Sequence, residues 1–512
     1  MKTKILALLL AALMLFSMVA CTTNPTDDPE TKPSSGSTET DPSTGDTPAD
    51  TGDQETDPSG DTEPDEVNPL EKIPEGTNFG NEEFTIWMRS GRYAEAIGAT
   101  EIDASATSLD RAIYERTMNI QSDYGVIFDI KPVANIANDL AAQAKVGTDP
   151  FEFGGDHGRY GWAYAMNDYL YLWNDLEYVD LTADYWAQDT VEEWSTPGGK
   201  VFLLTGDLTH WNIGSAFVMF FNQDVFDLVD GLTSPYDLVR DNKWFYSTFE
   251  EYATTLFSNM DSDGTDDIAT DSFGYATGLF RGAISIIPST GIKLIEKDEN
   301  SATGYKVNAT KDKVVTAVGD FAEFLLTSGV CKYYAKNPDY GAMENAFMAN
   351  RVAFLDQEVA TAQKFTQQGT NFGIVPWPKF DKRVDGYKSN VNAGCDAFFV
   401  PKNTSDENAK RTSVVLEALA YYGQKDVLSL YYDTILSYQY MKNEESIEML
   451  GIVKDNLVYD FHYWFSSGIQ DIGSAVIADG SITSLSTLYE KEKTKVEEQL
   501  AKWAALDDTG EE

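Results

Sequence analysis

Polar and aromatic residues stand together at several points where a short apolar, strand-like run ends. An aromatic ring can stack on the apolar face of a polar ring compound, and carboxylate, amide or guanidinium groups can hydrogen-bond its hydroxyl groups. Residues of both kinds on loops after strands are therefore candidates for binding a polar solute. An aromatic residue beside a strand is also often a core residue, and an arginine there often pairs with a local carboxylate, so both interpretations stay open. The candidates are Trp87, Arg89, Asp156, His157, Asp207, Trp211, Phe280, Arg281, Gln357, Glu358, Asn392 and Trp464.

An acidic segment further along the chain offers oxygen ligands at alternate positions, an arrangement that suits a hard cation such as Ca²⁺. The positions are Asp261, Asp263, Thr265 and Asp267. The spacing departs from that of an EF-hand loop, because Gly264 comes too early and no Glu stands at the twelfth place. An Asp-rich turn explains the same residues more simply. A structural calcium ion is thus one alternative, and no cofactor is required.

Short signatures of several enzyme classes are missing from the sequence. The three histidines, His157, His210 and His462, are isolated, and there is no HExxH zinc pair, GxSxG elbow, phosphate loop or dinucleotide fingerprint. A glycoside hydrolase needs only two carboxylates at a suitable separation, and 83 Asp and Glu residues leave that alternative open. We otherwise expect no catalytic residues.

The charge of the chain excludes nucleic acid as a partner. The formal net charge is −45, with 38 Lys and Arg against 83 Asp and Glu, whereas nucleic-acid binding depends on clustered positive charge. A length of 512 residues exceeds that of one ordinary core, so we expect two or more domains.

The N-terminal residues 1–20 have the pattern of an export signal. Lys2 and Lys4 precede an apolar run that is shorter than the roughly 20 residues of a membrane-spanning helix. The tetrapeptide from Met18 to Cys21 is similar to a bacterial lipobox, in which the cysteine is lipidated and becomes the new N-terminus. We therefore expect export, and anchoring to the outer face of the cell membrane by lipidated Cys21.

Between the anchor and the folded part lies a segment of Thr, Ser, Pro, Gly, Asp and Glu with almost no aliphatic residue. Such a composition cannot bury enough apolar surface to offset chain entropy, so residues 21–77 are predicted to be a disordered tether. Residues 506–512 are predicted to be a disordered tail. Cys331 and Cys395 remain in the folded part, either as a disulfide or as two free thiols.

Strand and helix patterns alternate through the rest of the chain. Residues 84–88 predict a strand, and Thr107 facing Asp110 predicts a capping box at the start of a helix. A second strand, 126–130, and a second helix, 135–146, follow. This order predicts parallel pairing with helices on both faces of a sheet. Further strands are predicted at 201–204, 217–221, 273–276, 372–375 and 395–400, and further helices at 249–257, 311–327 and 484–503.

Four stretches carry a resemblance to a known family. They are DRAIYERTMNIQSDYGV (110–126), GKVFLLTGDLTHWNIGSAFVMFFNQDVFD (199–227), RVAFLDQEVATAQKF (351–365) followed by FGIVPWPKFD (372–381), and NAGCDAFFVPKN (392–403) leading into VVLEALAYYG (414–423). Their order resembles the extracellular solute-binding proteins of bacterial ABC importers, the broad family with sugar- and oligosaccharide-binding members.

The resemblance implies an α/β, two-lobed periplasmic-binding-protein-like fold of type II, with a cleft between lobes that close by hinge motion. Lobe 1 would comprise residues 78–205 and 394–435, and lobe 2 residues 206–393 and 436–505. The candidate residues would face the cleft, and the segment 392–395 would be a crossing between the lobes.

The implied function is capture of an extracellular solute, most simply a carbohydrate, by a monomeric lipoprotein that delivers it to the transmembrane subunits of an ABC permease. The alternative is a surface-anchored glycoside hydrolase or a polysaccharide-binding protein without a transport role.

Overall fold

A computed structural model describes residues 68–508 apart from 149–150, 258–266, 335–336, 466–474 and 479. All of the described residues belong to one compact unit, 66–512. The predicted export signal, the lipidated cysteine and most of the predicted tether lie outside the described residues. The strands are β1 (Glu82–Arg89), β2 (Val126–Val133), β3 (Phe153–His157), β4 (Phe217–Asn222), β5 (Phe273–Gly278), β6 (Ile295–Lys297), β7 (Tyr305–Val307), β8 (Cys331–Tyr334), β9 (Val352–Glu358), β10 (Phe372–Val375), β11 (Ser389–Asn390), β12 (Asp396–Phe399), β13 (Leu457–Val458), β14 (Ile477–Ala478) and β15 (Ser481–Ile482).

Helices surround the sheets. The α-helices are Arg92–Ile97, Ser108–Tyr124, Ile136–Val146, Gly161–Met166, Gln188–Glu193, Trp211–Gly214, Gln223–Phe226, Pro235–Arg240, Tyr246–Leu256, Leu279–Ile286, Asp312–Thr327, Tyr340–Met348, Ala362–Gln367, Asp406–Tyr422, Glu444–Lys454, Phe461–Trp464 and Leu485–Ala504. Two π-helical segments, Gly423–Leu428 and Leu430–Tyr440, continue the helix Asp406–Tyr422. The 3₁₀ segments are Pro69–Lys72, Trp173–Asp175, Pro288–Thr290, Val359–Thr361 and Ala505–Asp508.

Two main sheets form the centres of two α/β lobes. The first sheet has the strand order β12-β3-β1-β2, and the second has the order β10-β4-β9-β5-β8. The β1 strand is parallel to β2 and β3, as the alternating pattern predicts, and β5 is parallel to β8 and β9. Strands from elsewhere in the chain complete each sheet with the opposite direction. Both β12 and β4 run antiparallel to their neighbours, so the sheets are mixed.

Local sequence signals locate several element ends correctly. The Thr107 hydroxyl accepts from the Asp110 amide at 3.2 Å, and the Asp110 carboxylate accepts from the Thr107 amide at 2.7 Å. This capping box starts the helix Ser108–Tyr124, and Gly125 ends it in the left-handed region at φ 60°. The prediction of a strand at 201–204 is wrong. Only Leu204 pairs there, in a single bridge to Phe398, because the backbone of Val201 is bonded instead to the loop at 173–174.

The folded part begins earlier and ends later than the composition predicts. Leu70 and Ile73 are buried, and the Lys72 ammonium lies 2.6 Å from the fully buried Glu417 carboxylate, so the predicted tether does not extend to residue 77. At the other end Leu506 is buried, and the Asp507 carboxylate accepts from the Gly198 amide at 2.7 Å. Residues 506–508 are therefore ordered by contacts that lie far away in the sequence.

Large aromatic side chains pack between segments of the two lobes. The buried Trp162 ring lies 5.3 Å from Trp194, 5.3 Å from Phe461 and 5.0 Å from Trp503, each in an edge-on arrangement. Edge-to-face contacts at these centroid distances are favourable for aromatic pairs. Trp503 belongs to the C-terminal helix Leu485–Ala504. The contact with Trp162 therefore fixes this helix to the helix Gly161–Met166, which follows β3.

Within the described segments no helix is both long and apolar enough to cross a membrane. Cys331 and Cys395 are free thiols, which decides against the disulfide alternative.

Candidate ligand-binding site

Arg89 and Asp156 meet at the carboxyl end of the first sheet. The register pairs Met88 with Gly155, so the next residues of the parallel strands β1 and β3 lie side by side. The Arg89 guanidinium contacts Asp156 Oδ1 at 3.2 Å, and Asp156 is only 3% exposed. Arg89 is the last residue of β1 and Asp156 lies within β3, so both residues belong to strands instead of following them, and the structure brings them together. Whether they bind a ligand stays a prediction.

The Asp156 carboxylate is held by three donors. Its Oδ1 also accepts from the His157 amide at 2.7 Å, and its Oδ2 accepts from the Tyr164 hydroxyl at 2.6 Å. Burial, reinforced by the neighbouring Asp156 carboxylate, raises the pKa of Tyr164, so this hydroxyl stays protonated and donating. The His157 ring lies 5.0 Å from the Tyr160 ring, beside this cluster.

A cavity of about 440 Å³ opens at this end of the sheet. Its lining combines guanidinium groups, tyrosines, one carboxylate and the first turn of the helix Ile136–Val146. Loops at the carboxyl ends of parallel strands are where α/β proteins place ligand sites. The lining residues that bear polar side chains are Arg89, Asn135, Asp156, Arg159, Tyr160 and Tyr164.

A second cluster lies at the end of β9 in the other lobe. Arg281 is 7% exposed, its guanidinium donates to the Gln357 side chain, and it lies 3.5 Å from Glu358 Oε1. The same guanidinium lies 3.8 Å from the centre of the Tyr340 ring, which is a cation–π contact. The Gln357 amide donates onward to Glu344 at 2.7 Å. The predicted residues Arg281, Gln357 and Glu358 are therefore neighbours.

Asn392 and Tyr463 connect the two clusters. The Asn392 amide donates to Glu358 Oε1 at 2.6 Å, and its Oδ1 accepts from the Tyr463 hydroxyl at 3.1 Å. The Tyr463 ring lies 4.7 Å from the Arg159 guanidinium, which lines the cavity of the first lobe. A chain of contacts thus runs from Arg159 through Tyr463, Asn392 and Glu358 to Arg281.

A buried carboxylate stands behind the second cluster. Asp356 is 1% exposed, and its Oδ2 accepts from the Thr277 hydroxyl at 2.9 Å. Burial raises the pKa of Asp356 to about 7, partly offset by the nearby Arg281 guanidinium and the Thr277 hydrogen bond. The group therefore changes charge near neutral pH.

Two of the predicted tryptophans, one half-buried and one buried, pack against other aromatic rings. Trp87 stacks on Phe151 with the ring centres 4.4 Å apart. Trp464 is fully buried and lies 4.6 Å from Trp194. A role for either ring in ligand binding stays a prediction. A Cβ on Gly158 would overlap the Trp464 ring, so Gly158 admits this ring into the core.

The crossover residues Asp207 and Trp211 border two other cavities, and the Trp211 carbonyl accepts from Cys395 Sγ at 3.4 Å. The Asp207 carboxylate accepts from the Gln424 amide at 3.2 Å and lines a separate cavity of about 450 Å³ beside the π-helical segments. Burial raises the pKa of Asp207 to about 7. Trp211 packs on His210 with a centroid distance of 4.8 Å and borders a third cavity of about 310 Å³ that residues of both lobes line. Phe280 lies in the helix Leu279–Ile286, and its side chain is outside what the structure describes.

The candidate list omits several residues that the structure places in the site. Arg159 and Tyr160 directly follow the predicted pair Asp156 and His157, so their position after the same strand was an available signal. Tyr164 lies on the helix Gly161–Met166, eight residues after Asp156, and Tyr340 lies at the start of the helix Tyr340–Met348. No local pattern marks either residue. Tyr463 is adjacent to the predicted Trp464, and only packing determines which ring turns toward Asn392.

The calcium alternative stays a prediction. Asp261, Asp263 and Thr265 lie outside the described residues, and the Asp267 carboxylate accepts from the Ala269 amide at 2.8 Å, as in an Asx-type turn. Within the described segments, no group of three or more His, Cys, Asp or Glu side chains is arranged to hold a metal ion.

Two α/β lobes, a segment that crosses between them and polar clusters at facing strand ends define the two-lobed fold of the solute-binding proteins of ABC importers. The structure is similar to that of the sugar-binding protein MalE from Xanthomonas citri, with a TM-score of 0.55, 11% identity, and coverage of 84% of this chain and 100% of that chain. It is also similar to UspC of M. tuberculosis, with a TM-score of 0.52, 14% identity, and coverage of 81% and 100%.

An ABC-transporter solute-binding protein from Thermotoga lettingae bound with α-D-tagatose matches with a TM-score of 0.51, 14% identity, and coverage of 82% of this chain and 100% of that chain. Identities this low establish the fold. No family model and no curated protein matches the chain.

Proposed function

We propose that this protein is the solute-binding component of an ABC importer and that it captures an extracellular carbohydrate. The observation that carries the proposal is the chain of contacts from Arg159 through Tyr463, Asn392 and Glu358 to Arg281. It brings polar groups from two different sheets to one place, as a ligand enclosed between two lobes requires. The similarity of the fold to sugar-binding and tagatose-bound proteins supports this choice of solute.

The side chains in the site suit a carbohydrate. Tyr160 is 45% exposed beside the first cavity and can offer an aromatic face, while Arg89 and Glu358 offer a donor and an acceptor for hydroxyl groups. Charged groups that hydrogen-bond the hydroxyls at the edge of a sugar ring would orient the sugar, and the aromatic face would contact the apolar face of that ring. Trp87 and Trp464 are not needed in this scheme.

The segment 392–395 is proposed as a crossing about which the lobes close. Its backbone is held at the cleft, since the Ala393 amide donates to the Tyr463 hydroxyl at 3.1 Å and the Tyr93 hydroxyl donates to the Gly394 carbonyl at 2.6 Å. Ala393→Pro removes the amide donor, and we expect it to weaken ligand binding more than folding. Unchanged affinity in this variant would argue against the hinge.

Export and lipid anchoring are proposed from residues 1–21 alone. A lipid on Cys21 would hold the protein at the outer face of the membrane, where a permease can receive the solute. Metabolic labelling with a fatty acid tests this step, and Cys21→Ala should abolish incorporation. Labelling that persists in Cys21→Ala would contradict the anchor.

A panel of mono- and oligosaccharides, screened by thermal shift and followed by calorimetry, tests the function. A stoichiometric heat and a raised melting temperature without any product would support a binding protein, because a ligand that binds only the folded state stabilises it. Release of shorter sugars during the incubation would instead support the glycoside hydrolase. A peptide panel run in parallel completes the comparison, since binding of peptides alone would overturn the carbohydrate proposal.

A further inference from the structure

The cavity at the carboxyl end of the first sheet carries more positive than negative charge. Its charged lining residues are Arg89, Arg159 and Asp156, so two guanidiniums face one carboxylate. The complete chain has a formal net charge of −45. The negative charge of the whole chain repels anions at long range, whereas the positive charge of this cavity attracts them at short range. The cavity therefore suits direct contact with an anionic group.

Asp156 does not use all of the hydrogen-bonding capacity of Arg89. Each Asp156 oxygen already accepts from another group, since Oδ1 accepts from the His157 amide and Oδ2 from the Tyr164 hydroxyl. Arg89 donates to Asp156 through Nη1 only, and its side chain is 35% exposed at the cavity. A guanidinium has five N–H donors in a fixed plane, so a second planar acceptor can bind beside Asp156.

The helix Ile136–Val146 begins in the wall of the same cavity. Asn135, Ile136 and Ala137 line the cavity, and the Asn135 side chain accepts only from the amide of Asn138, at 3.1 Å. The first amides of an 11-residue helix carry partial positive charge and favour an anion. This helix end therefore adds to the field of the two arginines.

We propose that this cavity recognises an anionic substituent, a carboxylate or a sulfate, on the bound saccharide. The inference rests on the proposed carbohydrate-binding function and narrows its substrate class to acidic sugars. A carboxylate or sulfate accepts parallel N–H bonds from the free edge of Arg89, while Arg159 and the helix start complete the positive surroundings. Asp156 fixes Arg89 in place through a single hydrogen bond.

Calorimetry with matched sugars tests the substrate class. The probes are uronate disaccharides of the gluco, galacto and manno series, their neutral counterparts, and the same neutral sugars carrying sulfate. At least one acidic sugar should bind about tenfold or more tightly than its neutral counterpart, as charge-assisted pairing with arginine requires. The uronate and sulfate arms show which anion is accepted.

The outcomes separate this inference from the proposed function. Tighter binding of a neutral sugar than of every acidic sugar would overturn the inference and leave the carbohydrate-binding function in place. Absence of binding by every saccharide, acidic or neutral, would overturn both.

Two variants examine the residues themselves. Arg89→Gln and Arg159→Gln should each reduce the preference for the acidic sugar by about tenfold while changing the affinity for a neutral sugar less. Arg383→Gln is the matched control, because Arg383 is an exposed arginine that pairs with Asp381 and does not line the cavity. Melting temperatures measured beside each titration identify a variant that fails to fold. A preference that survives both cavity substitutions would contradict the inference.

Discussion

The Asn392 side-chain amide donates a hydrogen bond of 2.6 Å to the Glu358 carboxylate, joining the segment that enters β12 in the first sheet to the last residue of β9 in the second. The two residues are 34 positions apart, and Asn392 stands where the chain leaves the second sheet for the first. A contact of this kind makes the geometry of the cleft depend on one half-buried side-chain amide.

Asn392→Ala should lower both stability and ligand affinity. It leaves Glu358 with only the longer contact to Arg281 and removes the acceptor of the Tyr463 hydroxyl. A hydrogen bond to a charged group contributes about 1.5–3 kcal/mol, so we expect a loss of that order in the free energy of unfolding, measured by urea denaturation. Asn371→Ala is the control, because the exposed Asn371 amide also donates to a carboxylate, Asp224, at 2.7 Å. An equal loss in the control would contradict a special role for Asn392.

Tyr463→Phe separates the ring from the hydroxyl. The ring under Arg159 is kept, but the Ala393 amide loses its acceptor and Asn392 loses its donor. Leaving a buried donor unsatisfied costs about 1–3 kcal/mol, and we expect a drop in melting temperature together with weaker ligand binding by calorimetry. Tyr438→Phe, at a tyrosine that is 78% exposed, should change neither quantity. Normal ligand affinity in Tyr463→Phe would remove this hydroxyl from the site.

Gly158→Ala should destabilise the protein strongly. A Cβ at this position would overlap the Trp464 ring and lie 3.1 Å from the Ala393 carbonyl oxygen. Overpacking of a core typically costs about 1–3 kcal/mol. In Gly319→Ala, within the helix Asp312–Thr327, the new Cβ has nothing within 4 Å, and the helix should gain up to about 1 kcal/mol. Opposite signs for the two variants in thermal unfolding are the expected result, and a neutral Gly158→Ala would show that the packing is looser than described.

Asp356 should make stability fall as the pH rises. Its folded-state pKa is raised to about 7, chiefly by burial, so between the ordinary carboxyl pKa and about 7 the folded state holds a proton that the unfolded chain has lost. The contribution of Asp356 is therefore full at low pH and is lost as the pH rises through that window, with a slope of up to about 1.4 kcal/mol per pH unit. Asp207 and Glu193, whose pKa values burial also raises to about 7, add to the same slope.

Urea denaturation at pH 5, 6, 7 and 8 checks this dependence. Asp356→Asn should reduce the slope relative to the wild type and be the more stable protein at pH 8. Asp381→Asn is the control, because hydrogen bonds from Arg383 hold the pKa of Asp381 well below its usual range and the group stays ionised throughout. It should shift the whole curve without changing its slope. A slope unaffected by Asp356→Asn would contradict the assignment.

Much of the site was predictable because its residues stand at strand ends. Arg89 is the last residue of β1 and Asp156 lies in β3, and the parallel register places their side chains together. Strand ends also predict the second group of site residues. These are Arg281, Gln357 and Glu358, and the structure places them next to one another. A strand end can be predicted from a few residues of sequence. Because the ends of neighbouring strands lie along one edge of the sheet, residues at those ends lie close together in the structure.

The errors came from positions where local chemistry is ambiguous. Trp464 and Tyr463 are adjacent buried aromatics, and no sequence pattern distinguishes the ring that packs on Trp194 from the one whose hydroxyl reaches Asn392. Lys72 and Asp507 lie in polar, acidic segments that favour disorder by composition. Each is nevertheless ordered by a partner more than 300 residues away, Glu417 in one case and Gly198 in the other.

The sequence by itself determined the alternation of strands and helices, the capping box at Thr107 and the residue types available at strand ends, because periodicity and turn chemistry act over a few residues. Only the tertiary structure decided which of those residues meet. The contacts Arg159–Tyr463, Asn392–Glu358 and Lys72–Glu417 join segments far apart in the chain. Their formation depends on how two sheets and their crossing segments pack, and that packing is a property of the whole folded chain.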